Sequence, residues 1–347
     1  MKYNTLGTSD IPISRICLGT MTWGEQNTQS EAFAQMDFAL DQGVNFWDTA
    51  ELYAVPPRAE TYGHTETMIG NWLAKHKRRS DIVLASKIAG PSTFSTHIRG
   101  GLTQFNRQHL EQALENSLKR LQTDYLDLYQ LHWPERSTNF FGQLNFKPPE
   151  HKEETTDFEE TLEVLTKLVK AGKIRQIGLS NETAWGTMKY LQITERLGLE
   201  KIVTIQNPYS LLNRSYEIGL AEVAYQENVG LLAYSPLGFG ALSGKYLNNQ
   251  LPKNSRLDRF PSYDRYMNAN AVLATQAYAD LAHAHQLTPT QLALAFVNQQ
   301  PFVKSNIIGA TNLEQLAENI SSINVELSPE ILDEIERIHS QYTIPSP

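Results

Sequence analysis

One cysteine, Cys17, stands among 347 residues. A single thiol cannot close an internal disulfide, so no covalent framework holds this chain and its stability must come from a packed core. Cys17 lies in the apolar run Ile16-Cys17-Leu18, which predicts a buried, inert thiol. No stretch approaches the roughly 20 apolar residues needed to span a bilayer, so no membrane association is expected. Positive charge is also short: 30 Lys and Arg against 38 Asp and Glu leave a net charge of −8. Nucleic acid and anionic membrane surfaces need a basic field, so neither is an expected partner. Met1-Lys2-Tyr3-Asn4-Thr5 lacks the apolar run of a secretory leader, and with the lone thiol this makes cytoplasmic the expected location. Metal-ligand spacings are missing too. His283-Ala284-His285 sits on a helical stretch with the two rings facing different ways, and His64-Thr65-Glu66 lacks further ligands, so no metal site is expected.

What is present is an ordinary globular composition, 41% hydrophobic and 20% charged, with ample chain for a large core. Short, nearly continuous apolar runs near 16–18, 44–47, 82–86, 126–131, 174–179, 202–205, 229–234 and 305–308 read as strands buried on both faces. Helical periodicity fills the gaps over 29–42, 107–121, 157–171, 183–197, 215–228, 288–299 and 312–321. Strands alternating with helices predict an α/β protein with a parallel sheet. An open doubly wound sheet also fits the alternation. The count of eight, and the absence of G-x-G-x-x-G after the first strand, favour a closed (β/α)8 TIM barrel forming one domain over 1–347. Lys2–Leu6 and Ile11–Ser14 read as a hairpin that plugs the barrel bottom, and 328–342 as a helix packed outside it. The stretches 54–63, 133–155 and 236–266 exceed ordinary loops and leave the C-terminal ends of strands, the face where barrel active sites form.

Polar residues gather at those strand ends. Val44-Asn45-Phe46-Trp47 is followed by Asp48, with Tyr53 five residues on; Ile82–Ser86 ends in Lys87; Leu126–Leu131 ends in His132. On successive barrel strands Asp48, Lys87 and His132 point into one mouth, and Tyr53 can fold back over it. An unperturbed tyrosine, with a pKa of about 10, is a slow proton donor near neutrality. A Lys87 ammonium beside Tyr53 is expected to favour tyrosinate and lower that value, Asp48 to keep Lys87 charged, and His132 to orient a substrate oxygen. Taken singly, each residue type at such a position is more often structural than catalytic. Together they form an acid-donating pocket beside an oxygen that develops negative charge, as reduction of a carbonyl requires.

Gly43-Val44-Asn45-Phe46-Trp47-Asp48-Thr49-Ala50-Glu51-Leu52-Tyr53 resembles the first signature of the aldo-keto reductases. Ser117-Leu118-Lys119-Arg120-Leu121, followed by Asp124-Tyr125-Leu126-Asp127-Leu128, resembles the second, and the likeness runs from Leu18 to Asn319. It implies that Asp48, Tyr53, Lys87 and His132 are the catalytic tetrad of an enzyme passing hydride between NADP(H) and a small-molecule carbonyl–alcohol pair without metal. It implies that Gly19, Thr20, Met21 and Asp48 border the cofactor, that Ser180, Asn181 and Gln206 hold its carboxamide, and that Tyr234 stacks on the nicotinamide. Ser235, Pro236, Leu237, Gly238, Gly240, Leu242 and Lys245 lead into a loop that wraps the pyrophosphate. Gly309, Thr311, Gln315, Glu318 and Asn319, joined by Arg256, would take the adenine and its 2′-phosphate, favouring NADP(H) over NAD(H). On the residues alone, Thr311-Asn312-Leu313-Glu314 also matches a capping box, whose free N–H groups equally suit a phosphate.

The sequence departs from the family pattern where Tyr-Gly usually follows the catalytic position. Tyr53 is followed by Ala54 and the insertion Val55–Tyr62 before Gly63. This and the 133–155 loop, with Phe140, Phe141 and Phe146, resemble the bacterial Tas-like subgroup. Trp23, Trp133 and Phe141 are candidates for the substrate wall, with plain packing the alternative. Two rival readings remain: a cofactor-binding redox sensor or regulatory subunit on the same fold, and a barrel lyase with a Schiff base on Lys87. The second needs none of the cofactor segments. Substrate and oligomeric state are not encoded in any motif.

Overall fold

The structure, a computed structural model, describes residues 1–347. Strands β1 (Tyr3–Thr5) and β2 (Pro12–Ser14) form an antiparallel hairpin. The barrel strands are β3 (Ile16–Gly19), β4 (Phe46–Asp48), β5 (Val83–Ile88), β6 (Leu126–Leu131), β7 (Ile174–Ser180), β8 (Ile202–Pro208), β9 (Gly230–Tyr234) and β10 (Val303–Ile308). They pair in parallel and close through β10 against β3, giving a (β/α)8 TIM barrel. Every residue of β5 and β6 is buried, as strands covered on both faces must be.

The helices are α1 (Gln29–Asp41), α2 (His64–His76), α3 (Arg107–Leu121), α4 (Phe158–Lys170), α5 (Ala184–Leu197), α6 (Leu220–Glu227), α7 (Arg256–Arg259), α8 (Ala269–Ala284), α9 (Pro289–Gln299), α10 (Leu313–Ser321) and α11 (Pro329–Gln341). Local chemistry explains their starts. Thr28 with Glu31, and Thr288 with Gln291, close reciprocal capping boxes on α1 and α9. At α10 the cap is Asn312 rather than Thr311: Asn312 accepts from the Gln315 amide, while the Gln315 side chain reaches back to Thr311. The expected helix over 215–228 breaks at Gly219, whose φ of 150° no helix accommodates, leaving a short turn before α6. Helices α2 and α8 are absent from the periodicity reading. α2 starts at the left-handed Gly63 with no side-chain cap, and α8 is alanine-rich and buried on several sides, so its apolar face is indistinct.

The hairpin plugs the N-terminal end. Leu6, Ile11 and Ile13 pack against the inward-facing Phe46, Val83, Leu128, Val203 and Leu232, with Cys17 buried among them. Each such aliphatic side chain contributes roughly 1.5–3 kcal/mol by leaving water. Gly7 makes the approach possible: a Cβ there would lie 2.4 Å from the Val203 Cβ. Above this apolar layer the lumen turns polar, with Asp48, Lys87, Gln130 and Gln206 all buried.

Candidate active site

The polar layer is built around one buried ammonium. Lys87 on β5 is fully buried and donates to Asp48 Oδ2 at 2.6 Å, to the Thr49 carbonyl at 2.9 Å and to Tyr53 Oη at 3.4 Å. The other Asp48 oxygen accepts from Gln130 Nε2 at 3.2 Å and Gln206 Nε2 at 2.9 Å. Thus the carboxylate and the ammonium are both paired and hydrogen-bonded, the condition for keeping charge inside a protein. Gly178 leaves room for Gln130, since a Cβ there would lie 3.1 Å from its Cγ.

Tyr53 enters the mouth on a short turn in which its N–H donates to the Ala50 carbonyl. The insertion is tied down immediately: Ala54 donates to the Thr61 carbonyl and Val55 to the Met21 carbonyl. Tyr62, which precedes the glycine, turns away and donates to Glu51 Oε2 at 3.1 Å. The insertion therefore leaves Tyr53, not Tyr62, beside Lys87. His132, just past β6, meets the Tyr53 ring edge-on with centroids 5.8 Å apart.

Electrostatics corrects one expectation. Burial raises the Tyr53 pKa, Lys87 lowers it and Asp48 raises it, for a net shift upward rather than downward. Tyr53 is thereby a protonated phenol at neutral pH. For Lys87, burial pulls the pKa down, but Asp48 and Tyr53 outweigh it and the net direction is up. His132 is driven well below the ordinary imidazole value, first by burial and then by the Lys87 charge, so its ring is neutral.

These residues sit at one end of a cavity of about 1010 Å³. Ser180, Asn181, Gln206 and Tyr234 lie on the wall next to Tyr53 and His132. Asn181 donates to the His132 carbonyl at 2.9 Å and accepts from Tyr234 Oη at 2.6 Å, which fixes the amide and the ring together. Gly19, Thr20 and Met21 face them from the end of β3. The wall continues through Ser235, Pro236, Leu237, Gly240 and Lys245 to Arg256. It also meets Gly309, Thr311, Gln315, Glu318 and Asn319, in the loop before α10 and along that helix. Arg256 rests its guanidinium over the Phe239 ring at 4.8 Å, and burial pulls its pKa down with only tyrosines opposing. That is a half-buried cation with only tyrosines, and no carboxylate, acting to hold its charge.

Four sequence candidates fall elsewhere. Trp23 is fully buried, donates to Gln35 Oε1 at 3.1 Å and packs against α1 instead of lining the cavity. Trp133 stands behind the wall, bonded to the Pro91 carbonyl at 2.8 Å and backing Phe94, His132 and Phe141. Leu242 points into the core and Gly238 lies under Tyr266, so neither borders the space. Phe141 does line it. Wall residues that no motif marks include Phe94, Tyr263 and Arg265, while Phe239 joins the wall from within the Gly238–Lys245 segment.

Comparison with known proteins agrees with this geometry. The sequence pattern described as the aldo/keto reductase family matches residues 15–340. The chain is 51% identical to "Protein tas" of Escherichia coli (strain K12) over 347 residues, covering 100% of both. It is 32% identical to "Uncharacterized oxidoreductase YrpG" of Bacillus subtilis (strain 168) over 335 residues, 96% of this chain and 94% of that one. A "Probable voltage-gated potassium channel subunit beta" of Oryza sativa subsp. japonica is 30% identical over 350 residues, 97% and 96% of the two chains. No helix is long and apolar enough to cross a membrane. A closed parallel barrel, a lysine–aspartate–tyrosine cluster at its mouth and a full-length match lead to one conclusion: the chain belongs to the aldo/keto reductase family of oxidoreductases.

Proposed function

We propose that this protein reduces aldehydes or ketones to alcohols with NADP(H), using Tyr53 as the proton donor. One observation carries the reading: Tyr53 Oη lies 3.4 Å from the buried Lys87 ammonium, at the mouth of a cavity that continues to Lys245 and Arg256. The donor set suits a nicotinamide dinucleotide, with amides and a serine hydroxyl beside an aromatic face at one end and cations at the other. Ser180, Asn181 and Gln206 would hold the carboxamide and Tyr234 would stack on the ring. Ser235–Leu237, Gly240 and Lys245 would take the pyrophosphate. Arg256, Thr311 and Gln315 would take the 2′-phosphate, with Glu318 and Asn319 at the adenine. When bound, the nicotinamide supplies the hydride for the carbonyl carbon. Tyr53 gives its proton to the carbonyl oxygen. Lys87 stabilises the tyrosinate left behind, and Asp48 keeps Lys87 charged inside the barrel. Neutral His132 offers a hydrogen bond that orients the oxygen. The lone buried thiol suits a cytoplasmic location.

The test follows NADPH absorbance with a panel of aldehydes, quinones and ketones, alongside direct NADPH and NADH binding. Turnover with NADPH is expected. Arg256→Ala should weaken NADPH about ten- to a hundredfold more than NADH, the value of one charge-assisted hydrogen bond. Equal losses would remove Arg256 from the 2′-phosphate. NADPH binding without turnover of any carbonyl would favour the reading as a cofactor-binding redox sensor or regulatory subunit, and no NADPH binding would end the present one.

A further inference from the structure

A second buried ion pair lies directly behind the site, and the proton-transfer chemistry makes no use of it. Glu51, two residues before Tyr53, is fully buried, and the Arg99 side chain is 5% exposed. The pair is bidentate: Arg99 Nη1 to Glu51 Oε2 at 2.7 Å and Nη2 to Oε1 at 2.8 Å. The remaining valences of Glu51 all go to segments that bear on the site. Oε1 accepts from the Ala89 amide at 2.7 Å, just past the end of β5, which carries Lys87. Oε2 accepts from Tyr62 of the insertion, and the Glu51 amide donates to the Lys87 carbonyl at 3.2 Å. One carboxylate thus joins the Tyr53 turn, the Lys87 strand, the insertion and the loop that brings Phe94 to the cavity.

Arg99 reaches this position at a conformational cost. Its φ is +47°, in the left-handed region that arginine avoids, followed by Gly100 at +67° and Gly101 at +86°. Arg99 Nε is buried without a partner. A buried pair that is incompletely satisfied and rests on an unfavourable backbone adds little net stability, so its retention calls for another reason.

We infer that Glu51 and Arg99 are positioning residues: they clamp the Tyr53 turn to the Lys87 strand and so fix the Tyr53 Oη–Lys87 Nζ distance from behind. The inference rests on the reading of Tyr53 as the acid. Displacing a reacting group by about 1 Å can lower a rate on the order of a hundredfold without touching ligand affinity. Arg99→Met and Arg99→Lys should therefore lower kcat by about that factor, with KM and the NADPH dissociation constant within about twofold of the parent. Lys keeps the charge but loses the fork, so it guards against a simple folding failure. Arg214→Met is the control for loss of a buried arginine's bidentate pair, because Arg214 is buried but holds the more exposed Glu217 and Glu336, neither of which lines the cavity.

A readout independent of turnover comes from 3-fluorotyrosine labelling, with the Tyr53 resonance assigned by its loss in Tyr53→Phe. That ¹⁹F signal should move in both Arg99 variants and stay in place in Arg214→Met. An unmoved Tyr53 signal in the Arg99 variants overturns the inference, whatever the activity. A kcat loss no larger than that of Arg214→Met, or a matching loss of NADPH affinity, overturns it too. Failure of the parent to turn over any carbonyl would sink the functional reading alone, since the resonance still reports the clamp.

Discussion

The two ends of the barrel lumen are made of opposite materials. At the bottom, Leu6, Ile11 and Ile13 of the hairpin meet Phe46, Val83 and Leu128 in a layer without charge. At the top, within the same barrel, the side chains of Asp48, Lys87, Gln130 and Gln206 are joined in one hydrogen-bond network. The bottom is stabilised by area removed from water and tolerates apolar side chains of similar volume. The top carries desolvated charges that contribute little net stability, and it holds geometry instead. The contrast teaches that damage at one end should read out as stability and at the other as chemistry.

The largest expected effect is at the top. Lys87→Met should lower turnover about 10²- to 10⁴-fold, the usual range for a proton-transfer group. It should also destabilise the fold by about 3–5 kcal/mol, because Asp48 is left buried and unpaired. Steady-state kinetics and urea unfolding measure the two losses. At the bottom, Ile13→Ala should remove about 2–5 kcal/mol in the same unfolding experiment while kcat of the folded protein stays unchanged. A kcat loss there would break the division between the two ends.

The smallest effect is one of pH. The folded-state pKa of His132 lies well below its ordinary value of about 6.5, so below that pH the unfolded chain binds a proton that the native state does not. Its contribution to stability is complete above about pH 6.5 and falls as pH drops toward the folded value, by at most about 1.4 kcal/mol per pH unit. His132→Gln should flatten the unfolding free energy over that window, and an unchanged slope would show that His132 is charged in the native protein.

The two ends also differ in how much of them the sequence makes legible. Strand runs such as Leu126–Leu131 are apolar because both faces are covered, and that leaves a plain mark. The hairpin is visible from its turn, Gly7-Thr8-Ser9-Asp10, and the strand-end residues Asp48, Lys87 and His132 because polar residues interrupt an apolar pattern at its end. The Glu51–Arg99 pair joins residues 48 apart in the chain, and nothing local to either marks it. Tyr62 stands before glycine, as the tyrosine of the family pattern does, but its spacing from Asp48 is wrong, and the backbone path of the insertion carries it to Glu51 instead. Trp23 and Trp133 illustrate the converse: a large aromatic near a site fills core as readily as it lines a cavity, and sequence carries no sign of direction. Net direction is also hidden in the Tyr53 pKa, where burial and Asp48 outweigh the lysine that pattern alone emphasises.

The most direct test of the central claim compares NADPH binding and carbonyl turnover in the parent and in Tyr53→Phe. With Tyr53 as proton donor, the variant binds NADPH within about twofold of the parent, and its kcat falls about 10²- to 10⁴-fold. A Tyr53→Phe protein that reduces carbonyls at the parent rate would contradict the account.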